Sequence, residues 1–125
     1  MAAAYLWFNA AMYLGLALWC TVRADAAAKA LGYEQLSADG RTEFLTIYGG
    51  LEFALAAVFG CLAYNHLAWP LGMLFSAILY GSLVAWRLYG FWRHRPRSPM
   101  IRRLAVGELV LLLIPLAMIP TLRGS

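Results

Sequence analysis

Apolar residues fall into four long runs along this chain, separated by segments that carry most of its charge. The runs are approximately Ala3–Val22, Phe44–Leu67, Pro70–Trp92 and Leu104–Leu122. Each matches the roughly 17–25 largely apolar residues that a helix needs to cross a hydrocarbon core. The pattern predicts an all-α protein, an integral membrane four-helix bundle in which residues 1–125 form a single transmembrane domain.

Within the first run, Tyr5, Asn9 and Tyr13 recur every four residues and share one helical face. Such a stripe packs against a neighbouring helix or lines a cavity. Trp7 and Trp19 stand near opposite ends, as interfacial aromatic belts do. The tract Arg23–Arg41 is a polar linker with mixed charge and an alanine-rich centre that suits a short surface helix. Gly32 and Asp39-Gly40 are its expected breaks. After the second run, Asn65-His66 and Trp69-Pro70 make a very short turn, with Pro70 suited to the first turn of a helix. Ser98-Pro99 likewise reads as an N-cap followed by proline at the first helical position. Pro115 and Pro120 are expected to kink or fray the far end of the last helix.

Composition strengthens the membrane reading. The chain is 63% hydrophobic and 13% charged, against about 45–50% and about 25% in soluble domains. A soluble fold this small could not bury so much apolar surface. The net charge of +4 needs no nucleic-acid partner, because five of the ten basic residues lie between Arg93 and Arg103, in the loop between two spans. A cytoplasmic loop in contact with anionic headgroups accounts for them. The first linker adds Arg23, Lys29 and Arg41, whereas the opposite side of the membrane receives only Arg123. Both termini are therefore expected in the periplasm, in a multi-pass inner-membrane protein. Ala24-Asp25-Ala26 resembles a signal cleavage site, but the apolar run before it is long and no Lys or Arg precedes it, so it reads as a retained first span.

Candidate chemistry gathers near Glu52. A carboxylate inside a span costs at least about 2.5–3.5 kcal/mol, which makes it a functional candidate. Counting about 1.5 Å per residue, Glu52 lies roughly 12 Å inside the cytoplasmic edge, with Arg87 and Glu108 about 6–8 Å inside. Tyr13 reaches a depth similar to that of Glu52, and Tyr48, four residues before Glu52, could hydrogen-bond it. These five residues are the expected intramembrane polar cluster. Arg87 can neutralise one acid and leaves the other protonated or solvated. Gly49 and Gly50, with Gly60 and Gly81 further along, are expected to let other helices approach closely.

Other chemistries lack their residues. There is no H-E-x-x-H, G-x-S-x-G, phosphate-binding glycine loop or aspartate pair. No catalytic residue, metal or cofactor is expected. His66 and His94 fall at opposite ends of the third span, and Cys20 and Cys61 read as small packing residues in different spans. The length is that of small multidrug transporters, but those carry their essential glutamate in the first span, where this chain has no acid.

The stretch Glu43-Phe44-Leu45-Thr46-Ile47-Tyr48-Gly49-Gly50-Leu51 resembles a family of small bacterial four-helix membrane proteins known only as a domain of unknown function and related to the DoxX-like group. Tyr48-Gly49-Gly50-Leu51 is the specific core of the likeness, while the layout of linker, tight turn and basic loop extends it over nearly the whole chain. Family members often carry an arginine shortly before the tyrosine, where this chain has Leu45. The resemblance implies the four-helix bundle and no defined activity. DoxX-like relatives include proposed redox-complex subunits and assembly factors, and similar folds include sterol isomerases and ligand-binding proteins.

Three functions are compatible with these features. The first is an accessory or assembly protein that acts in the bilayer through a membrane-protein partner or a second copy of itself. The second is a binder, or an isomerase, of a hydrophobic small molecule that uses Glu52 or Glu108. The third is a proton-coupled transporter, which would need a dimer to form a pathway.

Overall fold

A computed structural model describes residues 1–123; Gly124 and Ser125, the end of the expected domain, lie outside the described residues. The fold is all-α, and no strand occurs among the described residues. Among the described residues, four helices are long and apolar enough to cross a membrane. They are α1 (Ala2–Val22), α3 (Ala38–Tyr64), α4 (Trp69–His94) and α5 (Pro99–Arg123), with a short α2 (Ala24–Ala30) after α1 and a 3-10 turn, His66–Ala68, before α4. The chain divides into two compact units, with the boundary along the sequence between His66 and Leu67.

In the first unit α1 and α3 run antiparallel. Trp7 lies against Gly60, Tyr13 stacks on Phe59 at 5.7 Å, and Thr21 meets Gly49, so residue numbers rise on one helix as they fall on the other. One face of α1 is buried through Leu6, Asn9, Tyr13, Ala17 and Cys20. The Tyr5–Asn9–Tyr13 stripe is therefore a packing face, and the Asn9 amide donates to the carbonyl of Tyr5 at 2.8 Å.

Helix α3 begins earlier than its apolar run. Ser37 caps it by accepting a hydrogen bond from the Gly40 amide at 3.1 Å, and Asp39 sits in the first turn, where the helix dipole favours a negative charge. Asp39-Gly40, expected as a break, is thus the start of a helix. Further on, Leu45–Leu51 is a π-helix. Burial records the change: Phe44 and Gly49 are both buried although five residues apart. On a regular α-helix that spacing would turn them about 140° from each other.

The linker folds back on this end of the hairpin. Gly32, at φ +99°, ends α2 in a Schellman motif: its amide bonds to the Lys29 carbonyl and the Tyr33 amide to that of Ala28. Ala27 and Ala28 are buried with Cys20 and Phe44, and Trp19, Leu31, Leu36 and Tyr48 pack against them.

The second unit is the antiparallel pair α4–α5. Pro70 stands in the first turn of α4, where its missing amide costs nothing. Ser76 and Tyr80 are buried on one face, and the Ser76 hydroxyl donates to the Gly72 carbonyl at 2.7 Å. α4 stops at Arg95, which takes a left-handed conformation at φ 47°, and Pro96 after it disfavours continuation of the helix. α5 starts at Pro99 as expected, but it passes through Pro115 and Pro120 as one helix rather than fraying there. Trp86, Leu88, Trp92, Val106, Val110 and Leu113 are exposed on this unit, an outer surface suited to lipid.

Candidate functional site

The five expected polar residues separate into distinct arrangements. In the second unit, Arg87 donates from Nε and Nη2 to the two carboxylate oxygens of Glu108, at 2.6 and 2.5 Å. The fork is bidentate and part-buried, which satisfies both carboxylate oxygens of Glu108. The pair spans α4 and α5, one level below the contact of Gly81 with Leu112. At 3.9 Å that contact is ordinary van der Waals packing, so Gly81 provides no unusually close approach.

Glu52 is different. It stands on α3 directly after the π-helix, and its Oε2 atom is buried without a hydrogen-bond partner among the described residues. Such an atom bears a desolvation cost of about 1–3 kcal/mol with nothing to offset it. Cys20 of α1 lies within electrostatic reach of this carboxyl. The spacing of the α1–α3 contacts explains why, since Thr21 faces Gly49 and the end of α1 is level with the start of the regular helix. Cys20 is buried, as a packing residue should be, and it adds a neighbour for Glu52 that sequence reasoning missed. Cys61 is instead exposed on α3 and packs no core.

Tyr48 and Tyr13 serve other contacts. Tyr48 stacks on Phe44 at 4.6 Å, and its hydroxyl lies 3.3 Å from that of Tyr33. Tyr33 also meets Phe44 edge to face at 5.7 Å. The phenol of Tyr48 thus points to the linker, and it leaves Oε2 of Glu52 unsatisfied. Tyr33 has one signal in the sequence, its position just after Gly32, where a left-handed turn sends the chain back. Tyr13 stacks on Phe59, seven residues beyond Glu52, so the two polar groups are about 10 Å apart in level rather than side by side. A depth counted from Phe44 misplaces Glu52 relative to Tyr13, because the end of α1 is level with Gly49 rather than with Phe44.

The adjacent glycines also part company. A Cβ on Gly49 would stand 2.8 Å from the Thr21 hydroxyl oxygen, so glycine is what leaves room for the Thr21 side chain between α1 and α3. Gly50 is exposed, and nothing lies within 4 Å of where its Cβ would be. Gly60, with Trp7 at 3.9 Å, makes ordinary contact. π-Helical turns are rare and recur at functional sites. Here the turn joins the Gly49–Thr21 contact to the unsatisfied carboxyl.

Among the described residues no group of three or more His, Cys, Asp or Glu is placed to hold a metal ion. Comparison of the chain with known protein families, curated proteins and solved structures finds no match.

Proposed function

We propose that this chain is an accessory or assembly protein of the bacterial inner membrane, and that Glu52 is the group with which it engages a membrane-embedded partner. One observation carries the reading: Glu52 holds a buried carboxyl oxygen with no donor, whereas Glu108 is fully used by Arg87. A donor supplied by another molecule would offset the desolvation of that oxygen. Beside Glu52, Gly50, Ala54, Ala57 and Cys61 are exposed on α3 at spacings of four, three and four, which would let a second helix come close. Placement with the DoxX-like group, which includes proposed assembly factors, is supported by the Tyr48-Gly49-Gly50-Leu51 core. The excess of Lys and Arg in the first and third connections supports periplasmic termini.

Purification in mild detergent after in-cell crosslinking tests the reading. The wild-type chain should carry a stoichiometric membrane protein or a second copy of itself. Glu52→Leu should lose it, and Glu52→Gln should retain it in part. A strictly monomeric chain with no companion, or a Glu52→Leu variant that keeps its companion, would overturn the proposal. Alkaline phosphatase fused after the last span should be active if the C-terminus is periplasmic.

A further inference from the structure

The first unit has an open cleft of about 470 Å³ at the end where α1, α2 and the start of α3 come together. Its volume falls within the roughly 300–1,000 Å³ typical of small-molecule sites. Thr21, Val22, Arg23, Asp25, Arg41 and Leu45 are among its lining residues. The chemistry is divided. Arg23, Arg41, Asp25 and Thr21 give the lining its charge and hydrogen-bonding groups, while Val22 and Leu45, both exposed, continue the apolar surface of the spans.

The two arginines are in different states. Arg41 pairs with Asp25 at 3.1 Å, and both side chains are mostly exposed. An exposed pair of this kind contributes little and yields readily to a better acceptor. Arg23 sits at the joint of α1 and α2 and makes no side-chain ion pair or hydrogen bond among the described residues. Guanidinium groups match phosphate oxygens in geometry as well as charge. The cleft also stands at the end of two spans, the level at which phosphate groups of a bilayer lie.

We infer that this cleft is a binding site for the headgroup of an anionic phospholipid, with Arg23 and Arg41 on the phosphate and Val22 and Leu45 under the first part of an acyl chain. Asp25 is then a competitor. It holds Arg41 in the empty site and is released when phosphate arrives. The Gly49–Thr21 contact keeps the end of α1 against α3 and so preserves the shape of the opening. The site is separate from Glu52 and does not depend on its role.

Native mass spectrometry of the full chain, titrated with phosphatidylglycerol or phosphatidylcholine, tests the inference. One phosphatidylglycerol per chain should bind in preference to phosphatidylcholine. Arg23→Ala with Arg41→Ala should weaken it on the order of thirtyfold, the worth of two arginines near an anionic surface. Asp25→Asn should tighten it, an effect that impaired folding cannot mimic. Arg95→Ala with Arg97→Ala, which removes charge from the other loop, should leave this lipid in place. Equal loss in both double variants would mean diffuse attraction and overturn the site, as would weaker binding by Asp25→Asn. Displacement of the lipid by millimolar inorganic phosphate would overturn its identity as a lipid.

Discussion

Glu52 and Glu108 are both acids within apolar helices, yet removing them should have opposite effects. Glu108→Ala strands the Arg87 guanidinium, whose side chain is only 25% exposed. The loss should be about 2–3 kcal/mol, somewhat less than for a fully buried pair. Replacing both, as Arg87→Met with Glu108→Leu, should cost less than either single change, because no charge is then left alone. Thermal unfolding in detergent of the two single variants and the double variant measures this directly. Glu52→Leu removes an oxygen that lacks a donor, so the isolated chain should become more stable by about 1–3 kcal/mol while losing its companion. A destabilised Glu52→Leu variant would mean that the carboxyl serves the fold itself. Depth along the spans correctly makes Arg87 and an acid neighbours in level, but it cannot choose between acids. That choice depends on which helices pair, which hydropathy does not encode.

At the scale of the helix, Gly49 and Gly50 make a controlled comparison. Gly49→Ala brings a Cβ to 2.8 Å from the Thr21 hydroxyl oxygen and should cost about 1–3 kcal/mol through overpacking. Thr21→Ala in the same chain should recover much of that loss. Gly50→Ala meets open space and should be neutral or stabilising by about 0.5–1 kcal/mol, the usual gain of alanine over glycine in a helix. Unfolding midpoints of these variants and the wild type decide it. Both glycines look alike in sequence because small residues mark close packing only when a neighbour is present. Helix ends with dedicated residues, such as Pro70 and Ser98-Pro99, are legible to within a few positions. The start of α3 is not, since Ser37 and Asp39 stabilise a polar first turn that hydropathy reads as linker. Nor is the π-helix. Every residue from Leu45 to Leu51 is acceptable in an α-helix or beside one, and the five-residue spacing from Phe44 to Gly49 emerges only once burial is known.

For the molecule as a whole, span number and helical class are set by length and apolarity, because a bilayer demands both. The polar cluster requires knowledge of which residues share a level. Tyr48 bonds to the linker and Tyr13 stacks on the middle of α3, and both outcomes depend on contacts made at particular side chains. The π-helix also determines where the chain tolerates a change in length. Removing the exposed Ile47 would put Gly49 four residues after Phe44, so the turn could relax to α geometry with both still buried and without rotating the rest of α3. Removing Ala57 from the regular part of α3 would instead swing Phe59 and Ala63 out of the buried face by about 100°. The first shortened chain should express as a monodisperse protein and the second should not. Among relatives of this protein, a one-residue gap is therefore expected within Leu45–Leu51 before anywhere else in the second span.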